Sequence, residues 1–227
     1  MIAAVAFDLD DTLFLERDYV RSGFRAVAAR LEQEFGGRRD WFAELMRGFE
    51  AGVRGDAFDR VLKAAGVEPA AGLVDRLVRC YREHEPDIGP LEDVAPALET
   101  LGLPPERVGI ISDGPVAMQE RKFRSLGLGR FFGPVILTDR WGVAFRKPHP
   151  RAFEEFERRT GCPAQACAYV SDNPLKDFAA PHGRGWSTVR VVRPGGLHAA
   201  EPSAAGEVDR AIADLRSLAS VLRGGGI

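Results

Sequence analysis

Ile2-Ala3-Ala4-Val5-Ala6-Phe7-Asp8-Leu9-Asp10-Asp11-Thr12-Leu13 decides the reading of this chain. An uninterrupted apolar run that ends in three carboxylates within four positions is the pattern of a strand buried on both faces and terminating at a polar site. Asp8 and Asp10 are two apart, so an extended backbone points them the same way. Two carboxylates forced together repel, which is relieved by a raised pKa on one of them or by a cation between them. Carboxylate oxygens suit Mg²⁺, which typically keeps one or two protein carboxylates beside waters and a phosphate. Taken singly, Asp10, Asp11 and Thr12 would do no more than cap a helix.

Outward from this stretch, apolar runs of strand character recur at 108–112, 134–137, 166–171 and 188–192, with helical spacing between several of them. Strands alternating with helices predict an α/β fold, a Rossmann-like doubly wound parallel sheet with helices on its faces. The gap between the first two strands is far longer than one crossover needs. It holds amphipathic stretches at 19–35, 41–53, 56–65 and 71–83, separated by Gly36-Gly37, Gly55 and Gly66-Val67-Glu68-Pro69. The chain is therefore expected to have a core domain of residues 1–14 and 87–227 and an inserted α-helical cap domain of residues 15–86. A last helix is expected near 214–222, and a mobile tail at Gly224-Gly225-Gly226.

In open parallel sheets, ligands bind beyond the carboxyl ends of the strands, so the residues just after each run matter most. The second run ends in Ser112-Asp113-Gly114, a hydroxyl and turn amides placed to hold phosphate oxygens. After the third comes Arg146-Lys147-Pro148, where Lys147 offers a point charge. The fourth ends in Ser171-Asp172-Asn173 with Asp177 five residues beyond Asp172. Alone, Lys147 would be a solvated lysine.

These residues, taken together, resemble the motifs of the haloacid dehalogenase superfamily, in the subgroup whose helical cap follows the first strand. Asp8-x-Asp10-x-Thr12, Ser112, Lys147 before Pro148, and Asp172 with Asp177 match the family's four motifs in order. One departure is Ser171, where the family often has Gly. The resemblance implies a Mg²⁺-dependent phosphatase acting on a small phosphorylated metabolite. Asp8 would be the nucleophile and Asp10 the acid and base. Ser112, Asp113 and Lys147 would bind the phosphoryl group. The metal would be held by Asp8, Asp10 (through its main-chain carbonyl) and Asp172, with Thr12, Asn173 and Asp177 just behind them. Dehalogenases of the superfamily lack the second aspartate, so Asp10 favours phosphoryl transfer. A phosphomutase uses the same two aspartates and is the alternative enzyme. A non-catalytic binding protein of the same fold is the alternative of another class.

Composition limits the partners. With 31 basic and 33 acidic residues spread along the chain, the net charge is −2, so neither nucleic acid nor an anionic membrane is expected. Nothing approaches the ~20 apolar residues of a membrane span. Cys80, Cys162 and Cys167 form no CxxC, and no histidine has a partner at metal-ligand spacing. His149 and His198 read as exposed and His182 as part of a turn. The cytoplasm is the expected location. Oligomeric state and the identity of the substrate are not legible.

Overall fold

The computed structural model describes residues 1–36, 39–68, 70–203 and 206–224. Gly37 and Pro69 of the expected breaks, and Gly225 and Gly226 of the expected tail, lie outside them. The chain divides into two compact units: Met1–Arg17 with Ile88–Ile227, and Asp18–Asp87.

The first unit is built on six parallel strands, β1 (Ala4–Phe7), β2 (Val108–Ser112), β3 (Val135–Leu137), β4 (Cys167–Ser171), β5 (Ser187–Val191) and β6 (Arg210–Ile212), in the order β3-β2-β1-β4-β5-β6. This is the doubly wound Rossmann order, with helices around the sheet. β1 is fully buried, as its apolar run requires, and pairs Phe7 with Ile110 on one side and Val170 on the other. Alternation along the strands sends Ala4, Ala6, Ile111, Ile136, Cys167 and Tyr169 to one face. There they pack with Phe153 and Phe156 of α7 (Arg151–Thr160) and with Trp186. Phe153 meets Tyr169 edge-on at 5.1 Å. Gly109 lets Phe156 lie close against β2, because a Cβ there would stand 2.6 Å from both the Phe156 ring and the Pro134 carbonyl.

β6 was not expected from the sequence. It is three residues long with only Ile212 buried, so no apolar run announces it. The last helix also differs: a 3₁₀ turn over Leu215–Ser217 precedes α9 (Leu218–Arg223), because Asp214 accepts a hydrogen bond from the Arg216 amide and tightens the turn.

The second unit contains α1 (Glu16–Phe35, whose first two residues belong to the first unit), α2 (Trp41–Glu50), α3 (Ala57–Ala64) and α4 (Leu73–Glu83). Asp40 caps α2 by accepting from the Ala43 amide. Its core is aromatic: Phe24 packs against Phe49, Phe58 and Tyr81, and Gly23 leaves the room that the Tyr81 ring occupies. Arg54 stacks over the Phe49 ring at 3.9 Å. Among the described residues no helix is long and apolar enough to cross a membrane.

Candidate active site

β1 and β4 are the adjacent strands at which the order reverses, and a crevice opens beyond their carboxyl ends. Asp8 leaves β1 with its amide bonded to the Val170 carbonyl at 2.9 Å. Asp172 follows β4 directly. The loop after Asp8 turns at Asp11, whose φ of 48° lies in the left-handed region that Asp tolerates better than most residues. The Asp11 carboxylate holds that turn, accepting from the amides of Glu16 and Leu197, each at 2.8 Å. The first of these bonds starts α1 at Glu16, earlier than its apolar pattern suggested.

Lys147 is buried beside Asp8. Its Nζ lies 2.9 Å from Asp8 Oδ1 and 3.0 Å from Asp177 Oδ1, and it donates to the Tyr169 hydroxyl at 2.9 Å. Three neighbours therefore surround the three N–H groups of the ammonium. Burial works against the charge on Lys147, but Asp177 and Asp8 hold its pKa well above the ordinary lysine value. Asp177, buried in turn, accepts from Ser171 Oγ at 2.5 Å. Ser171 thus has a partner of its own, and its φ is not left-handed, so the glycine of the family pattern is not needed here.

Asp10 has a separate set of partners. Its Oδ1 is 2.6 Å from Lys122 Nζ, and its Oδ2 accepts from Gln119 Nε2 at 2.8 Å. The same Gln119 amide donates to Ser112 Oγ at 2.7 Å. Sequence reasoning missed both residues, which lie on α6 (Val116–Ser125) more than a hundred positions from Asp10. Their one signal is that two polar side chains, Gln119 and Lys122, occupy a buried helix face. Glu16 was missed as well. Burial and the nearby Asp10 push its carboxyl up to about 7.

A cavity of about 240 Å³ joins these parts; Asp8, Asp10, Glu16, Ser112, Asp172 and Lys176 are among its lining residues. Asp113 stands at its edge and accepts from Thr138 Oγ1, the Lys147 amide and Lys176 Nζ. Burial would raise the Asp113 carboxyl, but Lys147 and Lys176 bring it below its ordinary value. Asn173 lies 2.9 Å from His198, which is half-buried at the cavity where exposure was expected. Thr12 is buried, and its carbonyl accepts from Arg193 at 2.7 Å. His149 is half-buried against Phe145, and His182 lies in α8 (Ala179–Gly183).

The acidic side of the cavity suits a hard cation. One carboxylate oxygen each from Asp8, Asp172 and Asp177 lie within 4.8 Å of one another. Burial pushes Asp172 up to about 9, with the charges of Asp8 and Asp177 adding to it, and burial pushes Asp8 to about 6 against the pull of Lys147. Such an oxygen-only donor set could hold a divalent cation.

A parallel sheet of this order, with buried carboxylates gathered at its switch point, defines a doubly wound α/β protein with an acidic site. The sequence model of the haloacid dehalogenase-like hydrolases matches residues 2–182, and the chain belongs to that family. The chain is 32% identical over 201 residues to the glyceraldehyde 3-phosphate phosphatase of Methanopyrus kandleri, covering 85% of each protein. The phosphatase of the same name in Methanocaldococcus jannaschii is 28% identical over 206 residues, covering 85% of this chain and 86% of that one. Among solved structures, a 2-haloacid dehalogenase from Pseudomonas syringae pv. tomato superposes with a TM-score of 0.68 at 24% identity over 100% of both chains. A HAD hydrolase from Bacillus subtilis, solved bound to magnesium, gives 0.69 at 20% identity over 97% of this chain and 98% of that one. At these identities the two structures establish the fold.

Proposed function

We propose that this chain is a phosphatase that hydrolyses a small phosphorylated metabolite through an aspartyl-phosphate on Asp8. The observation that carries the reading is the division of labour within one loop: Asp8 sits beside a buried ammonium, while Asp10 reaches the cavity on a separate set of donors. A bond forms between an Asp8 oxygen and phosphorus as the ester bond breaks, and the leaving oxygen takes the Asp10 proton. Water then gives a proton to Asp10 and attacks phosphorus, releasing Asp8 and inorganic phosphate. Ser112 and the Asp113 amide bind a phosphoryl oxygen. Lys147 neutralises Asp8 from beneath and keeps it in place. Asp8, Asp172 and the main-chain carbonyl of Asp10, with Thr12, Asn173 and Asp177 behind them, would hold Mg²⁺, which would supply positive charge to offset the repulsion between carboxylate and phosphate.

The matched relatives named as phosphatases make glyceraldehyde 3-phosphate the first ester to try. The cytoplasm is the proposed location, since all three cysteines are free thiols. The test is phosphate release from a panel of small esters with and without Mg²⁺, for the wild type and for Asp8→Asn. Metal-dependent release that the substitution abolishes supports the reading. No release from any ester by folded protein overturns it.

A further inference from the structure

We infer that Gln119 and Lys122 are positioning residues for the acid/base step, one face of α6 holding Asp10 by both oxygens while fixing the Ser112 hydroxyl. The inference rests on the proposed role of Asp10. The two residues are three apart and so share a helix face. Both are buried, Gln119 at 0% and Lys122 at 2% exposure. Interior sites of this kind ordinarily take apolar residues, and an unpaired ammonium there would be costly. The pair is explained by what it grips. Lys122 Nζ takes Asp10 Oδ1 at 2.6 Å, and Gln119 uses both hydrogens of its amide nitrogen, one on Asp10 Oδ2 at 2.8 Å and one on Ser112 Oγ at 2.7 Å. Turning the amide over would set its carbonyl oxygen against a carboxylate, so these neighbours fix its orientation.

Two consequences follow for the chemistry. Ser112 Oγ accepts from Gln119, so its own proton is left for another acceptor, and Ser112 lines the cavity where a phosphoryl oxygen is bound. Asp10, gripped at both oxygens, is held in one place relative to Ser112. Gln119 therefore links the group that binds the phosphate to the group that carries the proton, and a small misplacement of either is costly to the rate.

The test compares kcat/KM, which covers the steps through departure of the leaving group, for an alkyl phosphate and for p-nitrophenyl phosphate. An alkoxide needs a proton to leave; p-nitrophenolate does not. Gln119→Met and Lys122→Met keep side-chain bulk and remove the donors. Lys122→Met, which acts through Asp10 alone, is expected to lower the alkyl-ester value by about 10–100-fold and the aryl-ester value by less than about threefold, whereas Gln119→Met, which also frees Ser112, should lower both values and the alkyl-ester value clearly more. Added to Asp10→Asn, Lys122→Met should cost little more, since both act through one group. Lys122→Gln, which retains N–H donors, should recover part of the alkyl-ester rate. If Lys122→Met fails to fold, Gln119→Met and Lys122→Gln decide the matter by the same ratio. Equal losses on both esters, or full additivity with Asp10→Asn, would overturn the inference. If Asp10→Asn itself does not separate the two esters, the acid/base role of Asp10 falls, and the inference with it.

Discussion

Asp8 and Asp10 leave one strand two residues apart and end in opposite surroundings. Asp8 is buried against the Lys147 ammonium, within a dry set that includes Asp177, Ser171 and Tyr169. Asp10 keeps a fifth of its side chain exposed and is held by donors from α6. The difference teaches how one loop serves two kinds of chemistry. A group that attacks phosphorus profits from a fixed charge behind it and little freedom. A group that carries protons needs a path to the cavity, and its restraint comes from donors on a helix.

The sharpest way to break this comparison is to remove one member. Asp8→Asn should lower phosphate release by at least about 10⁴-fold, as loss of a nucleophile does elsewhere. A residual rate near wild type would show that Asp8 is not the attacking group. Lys147→Met attacks the dry side alone. It leaves Asp8 and Asp177 buried without their cation and should cost about 3–5 kcal/mol of stability in denaturant unfolding, whereas Lys122→Met, beside the partly exposed Asp10, should cost clearly less. Equal costs would erase the distinction between the two environments.

Metal addition probes the acidic edge. Mg²⁺ at about a hundred times its Kd should stabilise the wild type by about 2.7 kcal/mol in thermal or denaturant unfolding, and Asp172→Asn should lose most of that gain. An effect of similar size or smaller is expected at the ion pair that anchors the loop through Thr12. Arg193 holds the Thr12 carbonyl and the buried Asp93, which also accepts from the Leu215 amide. Burial would raise the Asp93 carboxyl, but Arg193 and that amide bring it below the ordinary 3.8. The lowered value favours the ionised form in the folded state. Its contribution is therefore full above the ordinary value and lost as pH falls through the lower one. Asp93→Asn should cost about 1.5–3 kcal/mol near neutrality and progressively less as the pH drops below 3.8, which unfolding curves at several pH values would check. A deficit that grows in acid would contradict the assignment.

Most of the sheet was legible because each long strand is an apolar run closed by a polar motif. That Ser112 and Asp172 lie at the same end of the sheet as Asp8 was legible from their places after β2 and β4, since parallel topology brings strand ends together whatever lies between them. Lys147 was expected near the same strand ends, but its bond to the Tyr169 hydroxyl was not legible, because a motif gives proximity and says nothing of every neighbour that accepts from it. Gln119 and Lys122 were missed because only tertiary folding lays α6 against the β1 loop. β6 was missed because three residues with one buried side chain carry no pattern.

The central claim is that Asp8 takes the phosphoryl group while Asp10 handles protons, and it is tested most directly on Asp10→Asn. That variant should still accept a phosphoryl group from p-nitrophenyl phosphate in the presence of Mg²⁺ and then hydrolyse it slowly for want of a base. Mass spectrometry of acid-quenched protein should find one phosphoryl group on the peptide that contains Asp8. No adduct while phosphate is still being released, or an adduct on another residue, would contradict the account.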